Sequence, residues 1–216
     1  MPKLFSLLCF FYILLCSLCA DNSFDDSYPS FSPTQMREIK SHDLRSYKRI
    51  LHYNEYLHRL KDLPKKEQLL RLNLYLNGLL SEHDEVTNAS LEHWATPKEF
   101  LRLGFGDCED YALIKYYTLL KLGFDAKKLY LLAVKEQFTQ GDHMVLVYFE
   151  DAHKAPLVLD NLSFRVLPLD KRVDLKAEYF LNTHGVYKQK SDGSLEKIAP
   201  LHILFEEIRK KVAQNL

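Results

Sequence analysis

The sequence predicts an α+β fold in which N-terminal helices pack on an antiparallel β-sheet. Apolar residues first recur at helical spacing over residues 33–80, and two more helix signals surround Gly104. After Gly123 the pattern changes to short alternating or continuous apolar runs, which are typical of strands and continue to about residue 198. Helices that come first and strands that come later are the order expected of this fold class.

The apolar stripes predict the first helices. The chain has a charged, helical pattern from residue 33 to about residue 63, where Pro64 ends it. A second helix is predicted over residues 65–80 and carries Asn73 and Asn77 one turn apart. These two side chains either belong to a solvated face or hydrogen-bond the loop that follows the helix.

Two further helices are predicted around a glycine turn. Thr96, Pro97 and Glu99 form a capping box with proline at the first helical position, so a short helix begins there and ends at Gly104. A longer helix follows and stops at Gly123, a residue type favoured just beyond helix C-termini.

The strand patterns come later in the chain. The segments are residues 128–134, 143–149, 156–160, 178–189 and 194–198. The last two flank Asp192-Gly193, which indicates a hairpin. A final helix is predicted over residues 201–213.

Length and charge limit the function classes. The 216 residues are enough for one domain with a core, predicted over residues 33–216, in which residues 33–63 form a helical appendage or pack on the domain. Lys plus Arg and Asp plus Glu both number 29, and no basic stripe is present, so we expect no nucleic-acid partner.

The N-terminus has the pattern of a secretory signal peptide over residues 1–20. Lys3 precedes an apolar run that ends in small residues, and residues 21–32 look like a flexible lead-in. The alternative is an uncleaved anchor helix, because the apolar run is near the lower limit for spanning a bilayer.

Cleavage after residue 20 would leave Cys108 as the one cysteine, so no internal disulfide could form. Cys108 begins a predicted helix, where the helix dipole favours a thiolate. Its neighbours Asp107, Glu109 and Asp110 oppose the thiolate by like-charge repulsion. A histidine cation, a metal ion or both must therefore offset them. The alternative is an inert buried cysteine.

His143 and Asp160 are the residues expected to partner the thiol. His143 begins an apolar strand and Asp160 closes the next one, so two adjacent antiparallel strands would bring them close. An acid there would orient the imidazole, as in other nucleophile–base–acid triads. The alternative for His143 is a core histidine with a satisfied hydrogen bond, and the strand register is not fixed by the sequence.

The chain resembles a known family in four segments: WATPKE from residue 94, GDCEDYA from residue 106, HMVL from residue 143 and LVLDNL from residue 157. The family is the bacterial transglutaminase-like cysteine proteinases of the LapG type, and the resemblance covers about residues 65–190. It implies a papain-like core with Cys108 as nucleophile, His143 as general base and acid, and Asp160 as the orienting group.

The resemblance also implies a calcium cofactor and a set of oxyanion donors. Members need calcium around the acids beside the cysteine, so Asp107, Glu109 and Asp110 are the expected ligands, with Asp125 considered for a further one. The Cys108 backbone N–H and the Trp94 indole are the expected oxyanion donors, although Trp94 could equally be a packing residue.

Members of this family are periplasmic and cut the N-terminal region of large surface adhesins, which releases the adhesin and disperses biofilm. An inner-membrane receptor for cyclic-di-GMP commonly restrains them. Two alternatives use the same fold: a transglutaminase or acyltransferase, in which an amine replaces water, and a non-catalytic binding module.

Overall fold

The structure is a computed structural model and describes residues 28–79 and 94–215. The predicted signal peptide and most of the predicted lead-in lie outside these residues. The described residues contain six α-helices: α1 (Pro33–His42), α2 (Leu44–Leu60), α3 (Lys65–Asn77), α4 (Pro97–Leu103), α5 (Cys108–Lys121) and α6 (Ile203–Ala213).

One antiparallel sheet follows the first five helices along the chain. Its strands are β1 (Leu129–Glu136), β2 (Asp142–Tyr148), β3 (Leu157–Asp160), β4 (Ser163–Pro168), β5 (Leu175–Asn182), β6 (Gly185–Gln189) and β7 (Leu195–Ala199). The spatial order is β4-β3-β2-β1-β5-β6-β7, and every neighbouring pair is antiparallel. The predicted α+β fold class is confirmed.

Helix α5 forms the centre of the core. Every residue from Asp110 to Leu120 is buried, because helices cover α5 on one side and the sheet covers it on the other. A helix buried on all sides needs apolar residues around its whole circumference, and this one has them. A smaller apolar cluster, which includes Val145 and Phe180, lies in the sheet apart from this core.

The predicted helix over residues 33–63 is in fact two helices. The Asp43 side chain accepts hydrogen bonds from the backbone N–H groups of Arg45 and Ser46, at 2.9 and 3.1 Å, and so caps a new helix. Since an aspartate before an apolar stripe is an ordinary helix-start signal, the break was readable from the sequence.

Helix α2 packs directly on the core. Ile50, Tyr53 and Leu60 belong to the same apolar cluster as α5, and the Tyr53 hydroxyl lies 2.7 Å from the Thr118 hydroxyl of that helix. The Arg49 guanidinium donates hydrogen bonds to backbone carbonyls at the C-terminal end of α4, including that of Leu101 at 3.1 Å. Residues 44–60 thus support the helices on both sides of the glycine turn.

The strand predictions need two corrections. Residues 178–189 are two strands, β5 and β6, joined by a turn at Thr183-His184. Strand β4 was missed, because it lies at the edge of the sheet and its half-exposed residues do not alternate as a strand with one buried face does. Among the helices of residues 28–79 and 94–215, none is long and apolar enough to cross a membrane.

Candidate active site

Cys108 is the first residue of α5, as the sequence predicts. The chain reaches it from α4 through Gly104, whose φ of 86° is a left-handed conformation that favours glycine. Gly106 is required for a different reason. A Cβ atom there would lie 2.6 Å from Oδ2 of Asp110, so only glycine lets the turn pass this close to the start of the helix.

The structure brings His143 and Asp160 together. Strand β2 pairs with β3 in a register that aligns Leu146 with Leu159, so the start of β2 lies beside the end of β3. His143 Nε2 is 2.9 Å from Asp160 Oδ1, and both side chains are buried. Because Nε2 is engaged by the carboxylate, Nδ1 is the ring nitrogen left for proton exchange.

Asp160 is held as an anion. Burial acts to raise the pKa of its carboxyl, but hydrogen bonds from His143, Arg172 and the Leu162 backbone N–H outweigh burial and lower the pKa to about 2. The Arg172 Nη2 atom lies 2.6 Å from Oδ2 of Asp160. A carboxylate that stays ionised can orient the imidazole and stabilise an imidazolium.

Two asparagines hold the turn that carries Asp160. Asn77 Nδ2 donates to the backbone carbonyls of Asp160 and Ser163, at 2.7 and 3.0 Å, and Asn73 Nδ2 donates to Ser163 at 2.8 Å. The sequence indicated a solvated face or the loop after α3, and it did not indicate this partner. The sequence likewise did not indicate that Arg172 contacts Asp160.

The Cys108 thiol lies against the start of β2, where the backbone N–H of Met144 acts to lower its pKa. Burial nevertheless raises the pKa of the thiol to about 12, and the charge of Glu109 and its hydrogen bond with the thiol add to the shift. The thiol donates to Glu109 Oε2 at 3.1 Å. The conflict expected from the sequence is therefore present, because burial and then Glu109 both favour the neutral thiol over the thiolate.

The other two acids of this segment are perturbed as well. Burial, followed by the charge of Glu109, raises the pKa of Asp107 to about 6. Burial, followed by the charge of Asp107, raises the pKa of Asp110 to about 8, although Asp110 Oδ1 accepts a 2.7 Å hydrogen bond from the Ala95 N–H. Carboxylates that repel one another in this way are a site that a cation would stabilise.

The donor set has the chemistry of a calcium site, because carboxylate oxygens are the ligands that Ca²⁺ prefers. Within residues 28–79 and 94–215, however, no three histidine, cysteine or acidic side chains are already arranged around a metal position. Asp125 does not join the three acids. It caps a short 3₁₀ helix beyond the far end of α5, about 20 Å away at the rise of an α-helix.

Trp94 is buried near the first turn of α5. Its ring stacks on the His202 ring, with centroids 5.8 Å apart and an angle of 16° between the planes. The hydrogen bond from Ala95 to Asp110 ties this segment to the acids beside the cysteine. His202, for which the sequence suggests no role, thus packs against Trp94. The role of the Trp94 indole as an oxyanion donor stays a prediction.

A cavity of about 580 Å³ lies beside the acidic segment. Helices α1, α2 and α4 line one side of it, and Phe105, Gly106, Asp107 and Asp110 line the other. This cavity gives space next to Asp107 and Asp110, while Cys108 and His143 are not among the residues that line it.

A cysteine at the start of a buried helix, packed against strands that carry a hydrogen-bonded histidine and aspartate, defines a cysteine peptidase with a transglutaminase-like fold. Comparison with known families agrees. The chain belongs to the bacterial transglutaminase-like cysteine proteinase family, which it matches over residues 54–179, more than half of its length.

Solved structures of Legionella pneumophila LapG are similar to this chain. The calcium-bound form has a TM-score of 0.72 at 30% identity, covering 84% of this chain and 99% of that one. The EGTA-treated form has a TM-score of 0.65 at 32% identity, covering 75% and 87%. A third LapG structure has a TM-score of 0.64 at 33% identity, covering 74% and 88%. A search of curated proteins finds no significant match.

Proposed function

We propose that this protein is a calcium-dependent cysteine endopeptidase of the periplasm that cuts the N-terminal region of a large surface adhesin and so releases it, promoting biofilm dispersal. The observation that carries the proposal is the 2.9 Å hydrogen bond between His143 and Asp160 beside a cysteine at a helix N-terminus. The family supports peptidase chemistry, and the family resemblance supports an adhesin as substrate.

In the proposed mechanism, Nδ1 of His143 takes the thiol proton and the Cys108 sulfur attacks the scissile carbonyl carbon. As the C–N bond breaks, the imidazolium gives its proton to the leaving amine, and a thioester remains on Cys108. His143 then takes a proton from water, which attacks the thioester and releases the acid product. Asp160 orients the ring throughout and offsets its positive charge. The Cys108 N–H and the Trp94 indole are the proposed oxyanion donors.

The proposed calcium ligands are Asp107, Glu109 and Asp110. Burial, together with repulsion between neighbouring carboxylates, raises the pKa of Asp107 and Asp110, and this supports the assignment because a dication would offset both effects. When bound, calcium supplies positive charge beside the thiol. Glu109, which accepts the hydrogen bond of the Cys108 thiol, would be one of the residues that hold the ion, and a bound cation would offset the carboxylate charge that opposes thiolate formation. LapG of Legionella pneumophila is known in a calcium-bound and in an EGTA-treated form, which also supports a calcium site here.

The periplasmic location is supported by the signal-peptide pattern of residues 1–20. Restraint by an inner-membrane cyclic-di-GMP receptor is proposed on the family resemblance. A fusion of residues 1–32 to a reporter that is active only outside the cytoplasm tests the location. Reporter activity that does not depend on residues 1–20 would contradict it.

The decisive test of the activity uses residues 21–216 and the N-terminal region of a large adhesin from the same genome. With Ca²⁺ we expect two product fragments whose masses sum to the substrate plus one water. With EGTA, or with the Cys108→Ala variant, we expect intact substrate. Cleavage that is equal in Ca²⁺ and EGTA would refute the calcium dependence. A crosslinked product of higher mass would indicate an acyltransferase instead.

A further inference from the structure

We propose that Arg172 and Asp174 are positioning residues for the catalytic step, acting together as a clamp that fixes the Asp160 carboxylate in the orientation His143 needs. This inference rests on the proposed function, since it assigns a role within the Cys108–His143–Asp160 site. It adds two residues that touch neither the thiol nor the imidazole.

The two oxygens of Asp160 are divided between different partners. Oδ1 lies 2.9 Å from His143 Nε2 and accepts a 2.9 Å hydrogen bond from the Leu162 N–H. Oδ2 accepts a 2.6 Å hydrogen bond from Arg172 Nη2. Rotation of the carboxylate would break contacts on both oxygens at once, so its plane, and through it the imidazole ring, is fixed.

Arg172 is held in turn by Asp174. The Asp174 Oδ2 atom lies 2.6 Å from Nη2, and both carboxylate oxygens lie near Nε, at 3.0 and 3.1 Å. A guanidinium that is held side-on through Nε and Nη2 loses little entropy when it binds Asp160, because its position is set beforehand. Asp174 thus aims the guanidinium at Asp160.

Burial gives these contacts their strength. The side chain of Asp160 is 0% exposed and that of Arg172 is 7% exposed, whereas Asp174 is 29% exposed. Charge-assisted hydrogen bonds are stronger where water is excluded, and a buried carboxylate that loses a partner is costly. Because Asp174 is partly exposed, we expect a substitution there to leave the site folded. An Asp174 variant is therefore suitable for testing the clamp.

The clamp borders a cavity. A cavity of about 380 Å³ is lined by Asp160, Arg172 and Asp174, and Arg165 is another of its lining residues. Truncation of Arg172 to alanine would enlarge this cavity at the position of the guanidinium. A small guanidinium compound could then enter and restore the missing hydrogen bonds to Asp160.

The first test measures the steady-state kinetics with which the protein cleaves the adhesin fragment. We expect Arg172→Ala to lower kcat roughly 10- to 100-fold with KM little changed, because a misplaced catalytic group costs rate more than binding. Millimolar methylguanidinium should restore most of the lost kcat, and methylammonium should not. We expect Arg172→Lys to fold and to keep part of the activity, and Asp174→Asn to lose less than Arg172→Ala. Arg165→Ala is the matched control and should behave as the unmodified protein.

The second test needs no substrate, so it separates failure of this inference from failure of the proposed function. In the proton NMR spectrum, the His143 Nε2–H that is hydrogen-bonded to Asp160 should give a downfield resonance. We expect Arg172→Ala to broaden or abolish it and methylguanidinium to bring it back. An unchanged resonance in Arg172→Ala, or an effect on KM alone, would overturn the proposal. If Arg172→Ala fails to fold, the kinetic constants and the His143 resonance of Arg172→Lys and Asp174→Asn are used to test the proposal instead.

Discussion

Asn77, at the end of α3, donates a 2.7 Å hydrogen bond from Nδ2 to the backbone carbonyl of Asp160, which lies 83 residues further along the chain. Asn73, one turn earlier, binds the carbonyl of Ser163 in the same turn. Asp160 is therefore positioned through its backbone by α3 and through its side chain by Arg172. Two elements that are distant in sequence converge on one residue.

Asn77→Ala should lower kcat/KM about tenfold, because the turn loses two hydrogen bonds and the Asp160 carbonyl loses its side-chain donor. The measurement is steady-state cleavage of the adhesin fragment, with the thermal midpoint recorded alongside. Asn54→Ala, at an exposed position of α2, is the control and should change neither quantity. Equal kcat/KM for the Asn77 variant and the control would show that the contact does not position Asp160.

Arg49→Ala should destabilise the fold by about 1–3 kcal/mol, since the guanidinium donates hydrogen bonds to the carbonyls that end α4. Urea unfolding measures the change. Lys48→Ala, at the neighbouring exposed position, should be close to neutral. If both variants unfold at the same urea concentration, α2 does not stabilise the glycine turn before Cys108 in this way.

Lys115→Met should stabilise the protein at neutral pH. Lys115 is fully buried in α5 without a hydrogen-bond partner for Nζ among the described residues, 5.8 Å from the Tyr111 ring centroid. Burial lowers the pKa of Lys115 from 10.5 to about 7, while the charge of Asp160 acts in the opposite direction. Between those two values the unfolded chain holds a proton that the folded chain does not, so this group costs stability as the pH falls from 10.5 to 7.

The stability gained in Lys115→Met should therefore be a few kcal/mol near pH 7 and shrink toward zero as the pH approaches 10.5. Urea unfolding of both proteins across this pH range gives the difference directly. Exposed Lys127→Met serves as the control and should show no such trend. A difference that stays constant with pH would mean that Lys115 is charged in the folded protein throughout.

The local part of the site could be predicted from the sequence. Thr96, Glu99 and Gly104 bound α4 as expected, because caps and left-handed glycines depend on a few neighbouring residues. Cys108 at the start of α5 follows from the same kind of signal. The conflict between the thiol and the acids around it was also readable, since adjacent charges interact wherever the chain folds.

The long-range part could not be predicted. The alignment of β2 with β3, which brings His143 to Asp160, depends on how the side chains of both strands pack against the rest of the protein. A strand pattern in the sequence leaves this register open. The partners of Asn77 and Arg172 are set by tertiary contacts in the same way. Asp125 shows that closeness in sequence does not ensure closeness in space. It follows Cys108 by 17 residues but lies beyond the opposite end of α5.

The central claim, that Cys108 attacks the peptide and carries the acyl group, is tested most directly by trapping the intermediate. Residues 21–216 are mixed with the adhesin fragment in Ca²⁺ and quenched in acid within the first turnover, and the intact protein is weighed by mass spectrometry. We expect the mass to rise by that of the N-terminal product less one water, with the adduct on Cys108 and removable by hydroxylamine. Cleavage at the normal rate by Cys108→Ala, with no adduct on the unmodified protein, would contradict the account.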